Sequence, residues 1–191
     1  MPAQTRVIHY YVCLGAAGGK EWKVNMNYDL KNLVTQMYVL ADKMDEGPLG
    51  LAQNTNLILR NCIRAELLCY LMYLSAADGT IAWQEARFIR DYLDYNLTIE
   101  DINQLIVKNQ IYSTKFEEKV PLSMQVFVKT DNTIYEVGCE TGIFSNMSVS
   151  ELLYSLFEQL GEELLACDGN VFDDENYDFI KYLYMLKNYI N

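Results

Sequence analysis

The sequence predicts an all-α protein, a single helical domain of about seven to nine helices built from two pseudo-equivalent halves. Two observations predict this fold. Apolar residues recur with the period of a helix along most of the chain, and the segment LSAADGTI at 74–81 returns as LLACDGNV at 164–171. A segment repeated at fixed spacing indicates an internal duplication, which places equivalent acidic side chains at two points of the fold.

The repeated segment carries its acidic residues with it. Each copy pairs the Asp of Asp-Gly with a Glu seven positions later, and the second copy follows the first by 90 positions. Upstream, an Asp near the end of the preceding predicted helix recurs at an offset of 89. The candidate site residues are therefore Asp42, Asp78 and Glu85 in the first half and Asp131, Asp168 and Glu175 in the second.

The chain divides into an amino-terminal arm, residues 1–26, and a helical domain, residues 27–191. The arm contains an apolar run at 7–14, which predicts an ordered arm or a short strand, and a glycine-rich stretch at 15–19 that favours a boundary. Within the helical domain, the first half covers about residues 27–112 and the second about 116–191.

Helix signals follow one another through the first half. Asp29 can cap a helix that the glycines and proline of 47–50 end, and 54–77 is predicted to form one long helix closed by Asp-Gly. The next helix starts near Ala82. Thr98, followed by two acidic residues, predicts the start of a short helix because carboxylates in the first turn favour the helix dipole.

The second half shows the same kind of signals. The sequence 148–151 is a capping box that predicts a helix to about Ala166. Asp173 or Asp174 can cap the last helix. Only the stretch 133–142, which is rich in β-branched residues, does not fit a helical pattern.

Composition bounds the function. The chain has 26 acidic against 15 basic residues, a net charge of -11 and a pI near 4.5. Such a charge repels nucleic acids and anionic membranes, so cations and basic proteins are the expected ligands. No apolar run reaches the length of a bilayer. Five cysteines without a CxxC pair argue against a disulfide framework or a structural zinc, which favours a cytoplasmic location.

Enzymatic function finds little support in the sequence. His9 is the single histidine and lies in the arm, so a histidine-based triad or zinc site would have to recruit it. The glycines of the arm do not form a phosphate-binding loop. No catalytic or organic cofactor-binding residue is therefore predicted, and a carboxylate-based activity of Asp78 with Asp168 ranks third among the candidate functions.

The motif Ala-x-Asp-Gly-x-Ile/Val, followed by a Glu near the start of the next helix, resembles the tellurite-resistance TerB family over residues 27–191. The resemblance implies an all-α fold, an acidic cluster that binds a divalent metal, and a role in bacterial stress or tellurite resistance through partner proteins. On this chain the family's acidic positions are Asp78, Glu85, Asp168 and Glu175, and the repeat adds Asp42 and Asp131. The chain departs from the family in lacking a side-chain cap at Ala82.

The Asp-Gly…Glu pattern also matches part of a calcium-binding loop. An EF-hand would need carboxylates where Leu74 and Ala76 stand, so a lone EF-hand is rejected. If the halves pool their carboxylates, Ca²⁺, Mg²⁺ or Mn²⁺ is the expected ion. Alternatively no metal binds, because an Asp before Gly stabilises a turn and a Glu at a helix start caps it.

Tyrosines crowd the last predicted helix. Tyr177 and Tyr184 share one face, and Tyr182 and Tyr189 share a face about 180° away. One face must pack inward, and the other offers a surface for a partner. The sequence thus predicts a non-enzymatic acidic module that binds a divalent cation, or alternatively a metal-free adaptor; its partner is an unidentified protein or a second copy in a homodimer.

Overall fold

The computed structural model describes most of the helical domain and two short strands of the arm. The residues it describes are 9–12, 22–25, 30–47, 56–77, 81–109, 116–142, 148–167 and 173–191. Within this part of the chain the prediction of a helical protein is confirmed, since seven α-helices make up nearly all of it. Asp78 and Asp168 lie outside these ranges, and so do Asp29 and the glycine-rich stretch 15–19.

The described elements follow one another in a simple order. Two strands come first, then four helices, a short 3-10 helix and three further helices. Their bounds are β1 His9–Val12, β2 Trp22–Asn25, α1 Leu30–Glu46, α2 Leu59–Ser75, α3 Trp83–Leu93, α4 Ile99–Asn109, the 3-10 helix Phe116–Glu118, α5 Leu122–Thr141, α6 Val149–Ala166 and α7 Asp173–Ile190.

The two strands form an antiparallel pair. His9 lies opposite Asn25, and Val12 lies opposite Trp22. This agrees with the short strand that the apolar run of the arm predicts.

Helix α2 lies at the centre of the helical domain and packs against each of the other six α-helices. From Tyr70 to Ser75 every side chain is buried, because a helix surrounded on all sides has no solvent face. The other helices contribute buried apolar residues to the core around α2. Among the described helices, none combines the length and the apolar character required to cross a bilayer.

Aromatic rings fill the space between α2, α6, α7 and the 3-10 helix. Tyr182 stacks on Tyr70 with ring centroids 4.9 Å apart and on Phe116 at 5.2 Å, while Phe157 meets Tyr70 edge-on at 5.1 Å. The Tyr70 hydroxyl lies against Gly161, where a Cβ atom would collide with that hydroxyl and with a ring of α7. Glycine is required at this crossing because the helices approach too closely for any side chain.

Two pairs of helices keep the spacing of the repeated motif. Leu59 starts α2 and Val149 starts α6, 90 positions later. The same spacing separates the starts of α3 and α7. Both α2 and α6 end with a tightened turn, in which Ala77 N donates to Leu74 O at 3.1 Å and Cys167 N donates to Leu164 O at 3.0 Å.

Two predicted boundaries are wrong. The stretch 133–142 is helical, since α5 continues to Thr141 and ends at Gly142, whose φ of 74° breaks the helix. Its threonines are accommodated because their hydroxyls donate to carbonyls one turn back, as Thr141 does to Val137 at 2.8 Å. The long helix predicted from 54 begins only at Leu59, where Asp45 accepts the first amide at 2.6 Å.

Candidate functional site

Glu85 is buried and holds the start of α3. Its Oε2 accepts the amide of Ala82 at 2.7 Å. Ala82 is the N-cap residue and has no side-chain acceptor of its own. Of the two contacts of a capping box, only the one from the glutamate back to the N-cap amide is therefore formed. The geometry of Glu85 therefore agrees with the metal-free alternative, in which the Glu caps its helix.

Asp131 holds the start of α6 from the neighbouring helix α5. Its Oδ1 accepts the amide of Val149 at 2.8 Å, and its Oδ2 accepts the amide of Ser150 at 3.0 Å and the hydroxyl of Ser148 at 2.8 Å. A carboxylate with three donors at a helix N-terminus satisfies amides that have no intrahelical partner and complements the dipole.

The predicted capping box at 148–151 is only half formed. Ser148 Oγ accepts the amide of Glu151 at 3.2 Å as expected. The Glu151 carboxylate instead lies 3.9 Å from Lys187 Nζ on α7. Asp131 instead binds the amides of Val149 and Ser150, which local sequence could not indicate because they lie 18 and 19 residues away.

Asp42 lies at the equivalent point of the first half and pairs with Arg60 on the first turn of α2. Asp42 Oδ2 is 2.8 Å from Arg60 Nη1, and both side chains are more than one third exposed. The Arg60 guanidinium also lies 5.4 Å from the ring centroid of Tyr38. Asp42 thus makes a surface ion pair that extends into a cation–π contact.

The three described carboxylates of the predicted metal site do not form a cluster. Asp42, Glu85 and Asp131 each bind at the first turn of a different helix. Within the described ranges, no group of three or more His, Cys, Asp or Glu side chains is arranged to hold a metal ion. Asp78 and Asp168 lie outside those ranges, as does the side chain of Glu175. Binding of Ca²⁺, Mg²⁺ or Mn²⁺ by the pooled carboxylates stays a prediction.

Comparison of the chain with protein-family models, with curated proteins and with solved structures gives no match. The geometry of the chain itself includes several features that its sequence did not indicate.

Glu66 is a carboxylate that the sequence analysis missed. It lies on α2 and accepts the amides of Leu122 at 2.6 Å and Ser123 at 3.3 Å, together with the Ser123 hydroxyl. Burial raises its pKa, and the hydrogen bonds from Ser123 and Leu122 lower it by less. The signal in the sequence was its spacing from Cys62 and Cys69, which puts a carboxylate on a partly buried face of α2.

Glu66 therefore joins the two halves. It belongs to the second helix of the first half and holds the start of α5, the first helix of the second half. Its charge also raises the pKa of the nearby thiols of Cys62 and Cys69, in each case after the larger effect of burial. This arrangement explains the partly buried acid in structural terms.

A shallow groove of about 390 Å³ lies between α3 and α4. Arg87 and Arg90 on its wall both bind Asp91, at 3.3 and 3.0 Å. Among the described lining residues, the one hydroxyl belongs to Thr98, which donates to Asp101 at 2.8 Å as part of the cap of α4. The groove offers an apolar floor and engaged charges rather than an activated nucleophile.

Helix α7 exposes an apolar stripe on the side opposite its buried face. Tyr177, Ile180 and Tyr184 are 64%, 57% and 69% exposed. They follow one another at three and four residues and so form one row, which we call the α7 stripe. On the opposite side, the buried residues of α7 are Phe179, Tyr182, Leu183 and Leu186.

A row of carboxylates on α6 runs beside this helix. Glu151, Glu158 and Glu162 recur at seven and four residues, and Tyr154 lies between the first two and donates to Glu158 at 3.4 Å. We call Glu151, Glu158 and Glu162 the α6 row. Burial raises the pKa of Glu162, and the charges of Glu158 and Glu163 raise it further, so like charges crowd this surface.

Proposed function

We propose that this chain is a non-enzymatic interaction module that docks a partner protein on the α7 stripe. The observation that carries the proposal is the exposure of Tyr177, Ile180 and Tyr184 in one row on an ordered helix. Isolated exposed apolar residues are ordinary, whereas a contiguous row points to a contact surface. Tyrosine suits such a surface because it gives a large contact area at low cost in conformational entropy.

The roles of the described carboxylates support the adaptor over the metal-binding alternative. Glu85 and Asp131 bind helix-start amides, and Asp42 binds Arg60. Each contact would have to be given up, at least in part, to coordinate an ion that requires six to eight oxygens. The repeated acidic pattern is then retained because it holds helices in place.

We further propose that the fold arose by duplication and that it resembles TerB. The shared spacing of 90 between equivalent helix starts and the matching turns at the ends of α2 and α6 support a two-half architecture. Under the TerB resemblance, the module acts in a bacterial stress or tellurite-resistance system by binding other proteins, in the cytoplasm.

The test is capture of partners by full-length protein from an extract of its own cells, with quantification by mass spectrometry. The wild type is compared with a variant that combines Tyr177→Ser and Tyr184→Ser. Tyr135→Ser is the matched control, because Tyr135 is a 65% exposed tyrosine on α5. We expect at least one protein to be retained by the wild type and the control and lost by the α7 variant.

An identical set of captured proteins for all three would contradict the proposal. A second copy of this chain is the competing occupant. It is recognised by light scattering of the purified protein, since a homodimer through α7 would give twice the monomer mass for the wild type and the monomer mass for the α7 variant.

A further inference from the structure

The relative placement of α6 and α7 determines which charges border the α7 stripe. Lys187 lies 3.9 Å from Glu151 and 5.1 Å from the ring centroid of Tyr154, so the end of α7 lies beside the start of α6. The two helices therefore run antiparallel. Ile180 lies two turns before Lys187 on the same side of α7, and Glu158 lies two turns after Glu151 on the same side of α6.

It follows that the α7 stripe is bordered by acidic side chains. Because the helices are antiparallel, the position two turns before Lys187 on α7 lies level with the position two turns after Glu151 on α6. Ile180 therefore lies alongside Glu158. Glu162 extends the row by one further turn toward Tyr177. The apolar stripe and the α6 row together form one surface that is apolar along one edge and anionic along the other.

The positive charges of this surface are already engaged. Lys187 pairs with Glu151, and Lys181 lies 5.9 Å from the ring centroid of Tyr177. In the described part of the chain, neither Glu158 nor Glu162 has a basic partner within ion-pair distance. Among the residues that the structure describes, the like charges that crowd Glu162 are thus not neutralised by an ion pair.

We infer that this surface binds a lysine- or arginine-rich segment of a partner protein, whose apolar side chains cover the α7 stripe while its cationic side chains meet Glu158 and Glu162. The inference rests on the proposed function and names the chemistry of its partner. Charge complementarity decides the occupant, since a neutral or acidic segment would leave the carboxylates unpaired at the edge of an apolar contact. The net charge of -11 steers a cationic segment toward the protein.

The experiment selects ligands from a display library of random peptides of about 16 residues, enough for about four helical turns. Full-length wild type is the bait. Peptides that also bind the combined Tyr177→Ser and Tyr184→Ser variant are removed. That variant keeps the net charge of the wild type, so this step also removes basic peptides that bind only by nonspecific charge attraction. We expect the remaining peptides to combine lysine or arginine with leucine, isoleucine or aromatic residues.

A second measurement tests the α6 row directly with one selected peptide. Combining Glu158→Gln and Glu162→Gln should weaken its binding about tenfold at low salt and flatten the dependence of binding on salt. Glu136→Gln with Glu140→Gln is the matched control, since these exposed glutamates are also four residues apart, on α5. The control should bind as the wild type does.

The outcomes separate this inference from the proposed function. Selected peptides that are neutral or acidic, or that ignore the α6 row substitutions, overturn the basic partner and leave the α7 docking face standing. If no peptide depends on Tyr177 and Tyr184, both proposals fall.

Discussion

Asp42 and Asp131, the two aspartates that recur at an offset of 89 in the sequence, are used in different ways. In the first half, Asp42 forms an exposed ion pair with Arg60, while a neighbouring residue, Asp45, accepts the first amide of α2. In the second half, Asp131 accepts two amides and a hydroxyl at the start of α6. The two aspartates lie at similar distances along the chain from the following helix. The first amide of that helix is bound by Asp45 in one case and by Asp131 itself in the other.

This difference bears on the role of Asp42 and Asp131. Both solutions satisfy the same physical need, because the first amides of a helix buried against its neighbours require an acceptor. A shared metal site would instead need these carboxylate oxygens as ligands of the ion. The divergence of Asp42 from Asp131 thus fits helix capping, and substitutions of these and related carboxylates should separate the two cases.

The largest loss of stability is expected for Glu66, whose contacts link α2 to α5. Glu66→Ala removes the acceptor of the Leu122 and Ser123 amides and should lower the free energy of unfolding by about 3 kcal/mol, since partly buried donors lose a charged acceptor. Urea denaturation measures the change. A loss below about 1 kcal/mol would show that solvent replaces the carboxylate.

The pH dependence of the same residue has a defined sign. Burial raises the folded-state pKa of Glu66 above its ordinary value of 4.5. The folded protein therefore holds the proton more tightly than the unfolded chain, and the stability this gives is lost as pH rises through the raised pKa. The stability of the wild type relative to Glu66→Gln should fall as pH rises from about 4.5 and then level off. A relative stability that rises over this window would contradict the assignment.

The next effect compares the two equivalent aspartates. Asp131→Ala should cost about 2 kcal/mol of unfolding free energy because it leaves helix-start amides without their acceptor. Asp42→Ala should cost about 0.5 kcal/mol, as expected for an exposed ion pair. Both are measured by chemical denaturation, with Asp131→Asn as a control that keeps one carbonyl acceptor. Equal losses for the two alanine variants would remove the distinction drawn between the halves.

Much of the fold could be predicted from local sequence. The cap at Thr98, the helix end near Ala166 and the helix start after Ala82 depend on residues within one turn, and all three are confirmed. Helix α5 could not be predicted to its end, because Ile134, Tyr135 and Val137 have weak helix propensity and the helix continues as far as Gly142.

The candidate site was less accessible to prediction from sequence. The Asp131 contact with α6 spans 17 to 19 residues, and the Glu66 contact with α5 spans 56 or 57. Neither has a local signature. The tyrosine pattern was more informative, since helical spacing separated Tyr177 and Tyr184, which are exposed, from Tyr182, which is buried. Tyr189, predicted to share the face of Tyr182, is nevertheless 41% exposed. The pattern did not show that the acids of α6 border the exposed pair.

The smallest effect on stability is expected at the proposed docking face. Combining Tyr177→Ser and Tyr184→Ser should change the free energy of unfolding by less than about 0.5 kcal/mol, because exposed side chains away from caps contribute little. Thermal and urea denaturation measure this, with Tyr135→Ser as the control. A loss of about 2 kcal/mol would mean that these tyrosines belong to the folded core of the domain and are not reserved for a partner.

The most direct test of the central claim, our proposal that the repeated carboxylates hold helices in place rather than form a metal site, is thermal unfolding of chelator-stripped protein. Ca²⁺, Mg²⁺ or Mn²⁺ is added singly at matched ionic strength. Because an ion bound only to the folded state raises its stability, we expect no ion-specific increase in the unfolding temperature. A saturable rise for one ion, abolished by Asp78→Asn and by Asp168→Asn, would contradict the claim and establish the pooled metal site.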